Sequence, residues 1–171
     1  LITGGDVDLP RLNECYGTNL VRTDFSILRV PLPIGLRRTT QFAALRGHLI
    51  QRFCQRVAPR FDLMISTYNP CDFGVRGIQC IADFSFDEVL RPAFDPVSQG
   101  WKAHWYRDSL LRRAYLKLCS SISRSNPEAW KKNLTLANSH WSTQLMRERY
   151  GIEAPTLYPP VADDFPVIPY E

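Results

Sequence analysis

Short apolar runs alternate along this chain with longer stretches in which apolar residues recur every three or four positions. The runs read as strands. One lies at residues 26–30 (SILRV) and stops at Pro31; a second, at 61–67 (FDLMIST), stops before Asn69-Pro70. A third covers 76–84 (RGIQCIADF), and a fourth ends at Asn138-Ser139. A fifth stops at Pro159-Pro160, and the opening LITGG reads as a strand end running into a turn, as in a fragment whose natural N-terminus lies upstream.

Between these runs the period lengthens to that of a helix. Across residues 37–57 the spacing puts Phe42, Leu45, Leu49, Phe53 and Val57 on one face, with Arg46, Arg52, Gln55 and Arg56 on others, and Pro59 follows as a stop. A later helix carries Trp105, Leu111, Tyr115, Leu118 and Ile122 as its stripe, widened by Leu110 and Ala114. In the last helix Ser139 is a suitable N-cap and Gly151 a suitable left-handed stop, with Ile152 as the apolar residue that packs behind such a stop. Strands alternating with helices predict an α/β layered domain with a mostly parallel sheet over residues 1–161, with right-handed crossovers. The tail at 162–171 has no periodicity and reads as the start of a linker.

Composition adds limits to this picture. At 171 residues, 44% apolar and 22% charged, the chain has the profile of a globular domain, and it contains no apolar run long enough to span a bilayer. The net charge is +4, and most cationic residues are Arg, a residue suited to bidentate contact with phosphate or carboxylate. Five cysteines show neither CxxC nor zinc spacing, which predicts free, mostly buried thiols, a reducing cytoplasmic setting and no metal site. The NLT triplet at Asn133 matches a glycosylation sequon but opens a strand, so it is taken as coincidence.

In open α/β sheets ligands gather beyond the carboxyl ends of the strands, so the residues following each strand are the candidates for chemistry. They are Gly4 and Gly5 after the first strand, then Thr67, Tyr68 and Asn69, then Asp83, and finally Asn138, Ser139 and His140. Together they offer small polar groups, one carboxylate and one imidazole, a rim suited to a sugar or phosphate. Each has a plainer reading. Gly4-Gly5 serves as a turn, Asn138-Ser139 as a helix cap, Asp83 as a turn acid and His140 as a solvated first-turn residue. Trp101, Trp105 and Tyr106 read as packing residues. No GxGxxG, Walker, HExxH or GxSxG motif occurs.

As an ordered set, "DLMISTYNPCDFGVRGIQ", a helix, and "NLTLANSHWSTQLMRERYGIEAPTLYPPV" resemble the N-terminal domain of group 1 (family 4) retaining glycosyltransferases of GT-B fold. The resemblance covers about half the chain. It implies a Rossmann-like domain forming the acceptor-binding half of an enzyme that moves a hexosyl group from a nucleotide-sugar donor to a glycan or lipid-linked acceptor. It implies no metal and no cofactor, a donor domain beyond this chain, and no activity without it. Tyr158, Pro159 and Pro160 would then form the interdomain hinge, and no residue here is assigned to catalysis. The chain departs from the family in the loop after "GIQ", where many relatives carry a histidine and this sequence has Ala82-Asp83. The basic helix suggests peripheral contact with the inner face of a membrane through Arg38, Arg52 and Arg56, although a wet edge on a packed helix accounts for it too. The alternative function is a non-enzymatic basic α/β module binding an anionic ligand, membrane or partner. Nucleic acid is not expected as a partner, since no helix-turn-helix spacing or aromatic RNA-binding strand is present.

Overall fold

The computed structural model describes residues 1–37, 42–91, 109–124, 126 and 128–159. The readings placed on Arg38, Trp101, Trp105, Tyr106, Pro160 and the 162–171 segment lie outside the described residues. The architecture is mixed α/β, with short sheets of parallel strands flanked by helices. One sheet pairs β1 (Ile2–Thr3) with β2 (Leu28–Arg29). The other runs in the order β3-β4-β5, with β3 at Ile65–Ser66, β4 at Ile78–Ile81 and β5 at Leu134–Ala137. Every pairing is parallel, in register Ile65–Ile78 and Ile78–Leu134. Beyond β5 the chain returns alongside it in a single parallel bridge, Ala137 to Thr156, closed by Ala137 N–H to Pro155 O at 3.0 Å and Leu157 N–H to Ala137 O at 2.7 Å.

Local chemistry explains where the helices begin and end. In α1 (Leu9–Tyr16) the Asp8 carboxylate accepts from Arg11 N–H, and Gly17 at φ +61° ends the helix. Helix α2 (Ile34–Arg37) is one turn long, and α3 (Ala43–Val57) runs into a 3₁₀ turn at Ala58–Arg60 built around Pro59. Ser109 caps α4 (Leu110–Ser123) through Arg112 N–H, and Ser139 caps α5 (His140–Tyr150) through Ser142 N–H. Gly151, at φ +67°, ends α5 with its N–H on Arg147 O, and Ile152 N–H then reaches Met146 O. Ile152 packs on the core behind this stop, as the sequence indicates.

Two apolar clusters form the core. One joins Ile81, Phe84, Ala137, Met146 and Ala154, under Phe86, Trp130 and Tyr150. The other joins Cys54, Ala58, Met64 and Phe73, with Ile2, Ile50 and Cys71 against it. Gly77, just ahead of β4, is required by space. A Cβ there would lie 2.6 Å from the Met64 carbonyl oxygen and 2.7 Å from the Phe73 ring.

Three sequence expectations change on contact with the structure. The run at 61–67 contains only two strand residues, and of its apolar side chains Met64 alone is buried, because β3 is the outer strand of its sheet. In α3 the buried positions are Cys54 and Val57, with Ile50 leaning on the same cluster, while Phe42 precedes the helix at φ +57° and stays exposed. In α4 the expected stripe splits: Leu110, Leu111 and Leu118 are exposed, Tyr115 and Ile122 are half-buried, and the buried positions are Arg112, Cys119 and Ser123. Helices α3 and α4 pack on each other through that polar face. Leu45 N–H donates to Tyr115 Oη at 3.3 Å, His48 Nδ1 lies 2.8 Å from Ser123 Oγ, and the Arg112 guanidinium holds Glu88 at 2.8 Å. Among the described residues no helix is long and apolar enough to cross a membrane.

Candidate functional site

Because β3, β4 and β5 are parallel and adjacent, their carboxyl ends open on one edge, and the loops that follow are laced together there. Ala82 N–H donates to Tyr68 O at 3.0 Å, joining the loops after β4 and β3. Asn138 Nδ2 donates to Ala82 O at 2.8 Å, joining the loop after β5 to that after β4. The most distinctive pair is Tyr68 and Asp83. The phenol, on the β3 loop, donates to Asp83 Oδ2 at 2.5 Å, while Ser85 N–H donates to Asp83 Oδ1 at 2.8 Å. Partial burial opposes charge on Asp83, but the hydrogen bonds from Ser85 and Tyr68 outweigh it and hold the carboxyl below its ordinary range. The same bond to the carboxylate, aided by burial, pushes the Tyr68 phenol up. Asp83 is therefore an ionised acceptor at neutral pH, half-buried beside an exposed tyrosine.

Asn138 and Ser139 are committed to structure. Asn138 spends its amide N–H on Ala82 and its Oδ1 on the Ser142 hydroxyl at 2.7 Å, and Ser139 Oγ accepts from Ser142 N–H at 3.2 Å. Their contribution to a site is to fix the corner from which His140 projects. That imidazole is exposed, with Nδ1 3.1 Å from Thr156 Oγ1 and its ring edge-on to Tyr158 at 5.6 Å. Thr67 is exposed on the β3 loop. Asn69 turns inward: its carbonyl accepts from Ser66 Oγ at 2.6 Å, and its Oδ1 is buried without a hydrogen-bond partner.

The structure thus gathers Thr67, Tyr68, Asn69, Asp83, Asn138, Ser139 and His140 on the ends of one sheet. Gly4 and Gly5 belong to the other sheet, after β1, and among the described residues no hydrogen bond ties them to this edge. Gly4 is a packing residue, since a Cβ would lie 2.9 Å from Leu32 Cδ1 and 3.0 Å from Ile50 Cδ1. Gly5 N–H completes a turn on Thr3 Oγ1. Tyr158 and Pro159 are exposed, Tyr158 against His140. On α3, Arg52 is half-buried with its guanidinium on Gln55 Oε1 at 3.3 Å, and Arg56 is exposed.

Sequence reasoning missed two groups at this edge. Thr156, the partner of His140, also meets the Thr143 hydroxyl at 2.9 Å, and nothing in its own neighbourhood of sequence marks that role. Trp141 is half-exposed on the edge of Phe84, 5.6 Å between ring centres. An aromatic in the first turn after a cap residue was the available signal. Among the described residues no group of three or more His, Cys, Asp or Glu side chains is placed to hold a metal ion. Compared with protein-family models, with curated proteins and with solved structures, the chain matches none.

Proposed function

We propose that the laced edge of the β3-β4-β5 sheet binds a hydroxyl-rich acceptor, and that the chain is the acceptor half of a nucleotide-sugar-dependent retaining glycosyltransferase. The observation that carries this reading is the Tyr68–Asp83 pair, which bridges the ends of two parallel strands and presents an ionised, half-buried carboxylate next to exposed aromatic surface. A carboxylate with part of its acceptor capacity free suits sugar hydroxyls, each a donor that a half-buried anion holds more strongly than water does. His140, with Nδ1 engaged by Thr156, has Nε2 left for a second polar contact. The ordered motif series ending in "YPPV" supports the same reading by resemblance. On this reading transfer also requires a donor-binding domain, encoded beyond Glu171.

The test uses the complete reading frame, expressed and supplied with nucleotide sugars and a panel of glycan and lipid-linked acceptors. Asp83→Asn keeps the shape and weakens a charge-assisted contact, so kcat/KM for the acceptor should fall about ten- to a hundredfold. His140→Ala should lower it less. Full activity in both variants, or a reading frame that continues into an unrelated domain, would overturn the proposal.

A further inference from the structure

Of the five cysteines, Cys15 is exposed, Cys119 is buried on α4 and Cys80 is half-buried on β4. Cys54 and Cys71 differ from these in being placed together. Cys54 lies in the last turn of α3 and Cys71 in the turn after β3, and both pack on the Ala58, Met64 and Phe73 cluster. The two side chains thus share one cluster, Cys54 within it and Cys71 packed against it. The turn that carries Cys71 is tied down from several sides. Its N–H donates to Gln79 Oε1 at 3.4 Å and its carbonyl accepts from Asn133 Nδ2 at 2.8 Å. The neighbouring Asp72 Oδ2 accepts from Asn126 N–H at 3.2 Å. Gly74 lies against the Gln55 side chain, one residue from Cys54.

We propose that Cys54 and Cys71 form an oxidative modification site, closing to an intramolecular disulfide that joins α3 to the β3–β4 turn when the chain meets a peroxide. Interaction with the Cys71 side chain favours the thiolate on Cys54 over the opposing effect of burial, and the same interaction, with burial, pushes the Cys71 thiol up. Cys54 is therefore the attacking sulfur. Its thiolate attacks one peroxide oxygen, the O–O bond breaks, and the leaving hydroxide takes a proton to become water, leaving a sulfenic acid on Cys54. The Cys71 sulfur then displaces the hydroxyl group. The S–S bond forms as the S–O bond breaks, and the Cys71 proton departs with the hydroxide as a second water. Two thiols have been oxidised by two electrons, and one peroxide has been reduced to two waters. A small peroxide suits a residue that is only 7% exposed, and the second cysteine packs on the same cluster as the first.

The test is mass spectrometry on the full chain treated with hydrogen peroxide, unfolded and alkylated. Untreated protein should take up five alkyl groups, one per cysteine, and oxidised protein two fewer, with a thiol reductant restoring all of them. After trypsin the cross-link should join the peptide at 53–56 to that at 61–76, which no other pair of cysteines produces. In Cys71→Ser the Cys54 sulfenic acid should persist long enough to be trapped by dimedone. Retention of every thiol in wild-type protein after peroxide, or a disulfide between any other two cysteines, would overturn the proposal, and either reading is independent of how the variant folds.

Discussion

Asn133 shows what a single side chain can hold. Its Oδ1 accepts from Gly77 N–H at 2.9 Å, and its amide donates to Cys71 O at 2.8 Å and Gln79 Oε1 at 2.9 Å. Gln79, itself fully buried, passes the chain of bonds on to Thr135 Oγ1 at 2.9 Å and to Trp130 O at 3.1 Å. Buried polar groups cost little while every partner is present and a great deal when one is removed. Asn133→Ala strands the Gly77 N–H and the Cys71 carbonyl, and should cost about 2–4 kcal/mol, read as a lowered urea midpoint. In the folded chain the side-chain amide of the NLT triplet is thus buried and engaged by two acceptors.

At the scale of elements, α5 is the best-specified piece of the molecule, and it was also the most legible. Ser139 and Gly151 marked its ends in the sequence, and the structure places the cap bond and the left-handed stop at those residues. Ser139→Ala should destabilise the chain by about 1 kcal/mol and Ser139→Asp should restore most of it, as measured by chemical denaturation. The Asn138–Ser142 bond survives in both variants, whereas the bond from Ser139 Oγ to Ser142 Oγ at 3.0 Å is lost along with the cap. Helices α3 and α4 were legible in kind, while α3 begins at Ala43, later than its period indicated, and the facing of both was legible only in part. Their apolar residues surround the cylinder, so period alone does not choose a side. The choice is made by partners distant in sequence: His48 with Ser123, Leu45 with Tyr115, and Glu88 with Arg112. The strands of the β3-β4-β5 sheet were found by their apolar runs, and the candidate edge followed from the rule that parallel strands gather their functional loops at one end. What the rule did not separate was Gly4-Gly5 from that edge, because no local signal says which strands share a sheet.

For the molecule as a whole, stability should fall in two stages as pH drops. Burial lowers the His48 pKa below its ordinary 6.5, so the folded chain resists the proton that the unfolded chain accepts. That contribution is present above about pH 6.5 and is lost as pH falls below it toward the folded pKa. A second stage comes from Asp87. Burial opposes its charge, but Arg149, Tyr150 and the N–H groups of Val89 and Leu90 bind the carboxylate and bring its pKa down to about 2, from 3.8. Its contribution, about 2 kcal/mol, holds above the unfolded pKa and is lost as pH falls from about 4 toward 2. Urea midpoints across pH should therefore show two declines. His48→Gln should remove the one near neutrality and leave the acid one, and Asp87→Asn should shrink the acid one, to which Asp83 also contributes, and leave the other.

The parallel bridge between Ala137 and Thr156 also has a mechanical consequence. Force applied along the chain at Pro159 reaches the sheet through two hydrogen bonds at one residue, Ala137, which is adjacent to Asn138 and three positions from His140. Thr156 and Tyr158, which lie on the loaded segment, are the residues in contact with that imidazole. Tension there loads Ala137, a member of a core cluster, and the contacts of His140 together, so the segment acts as a tendon that couples the polar edge to the core.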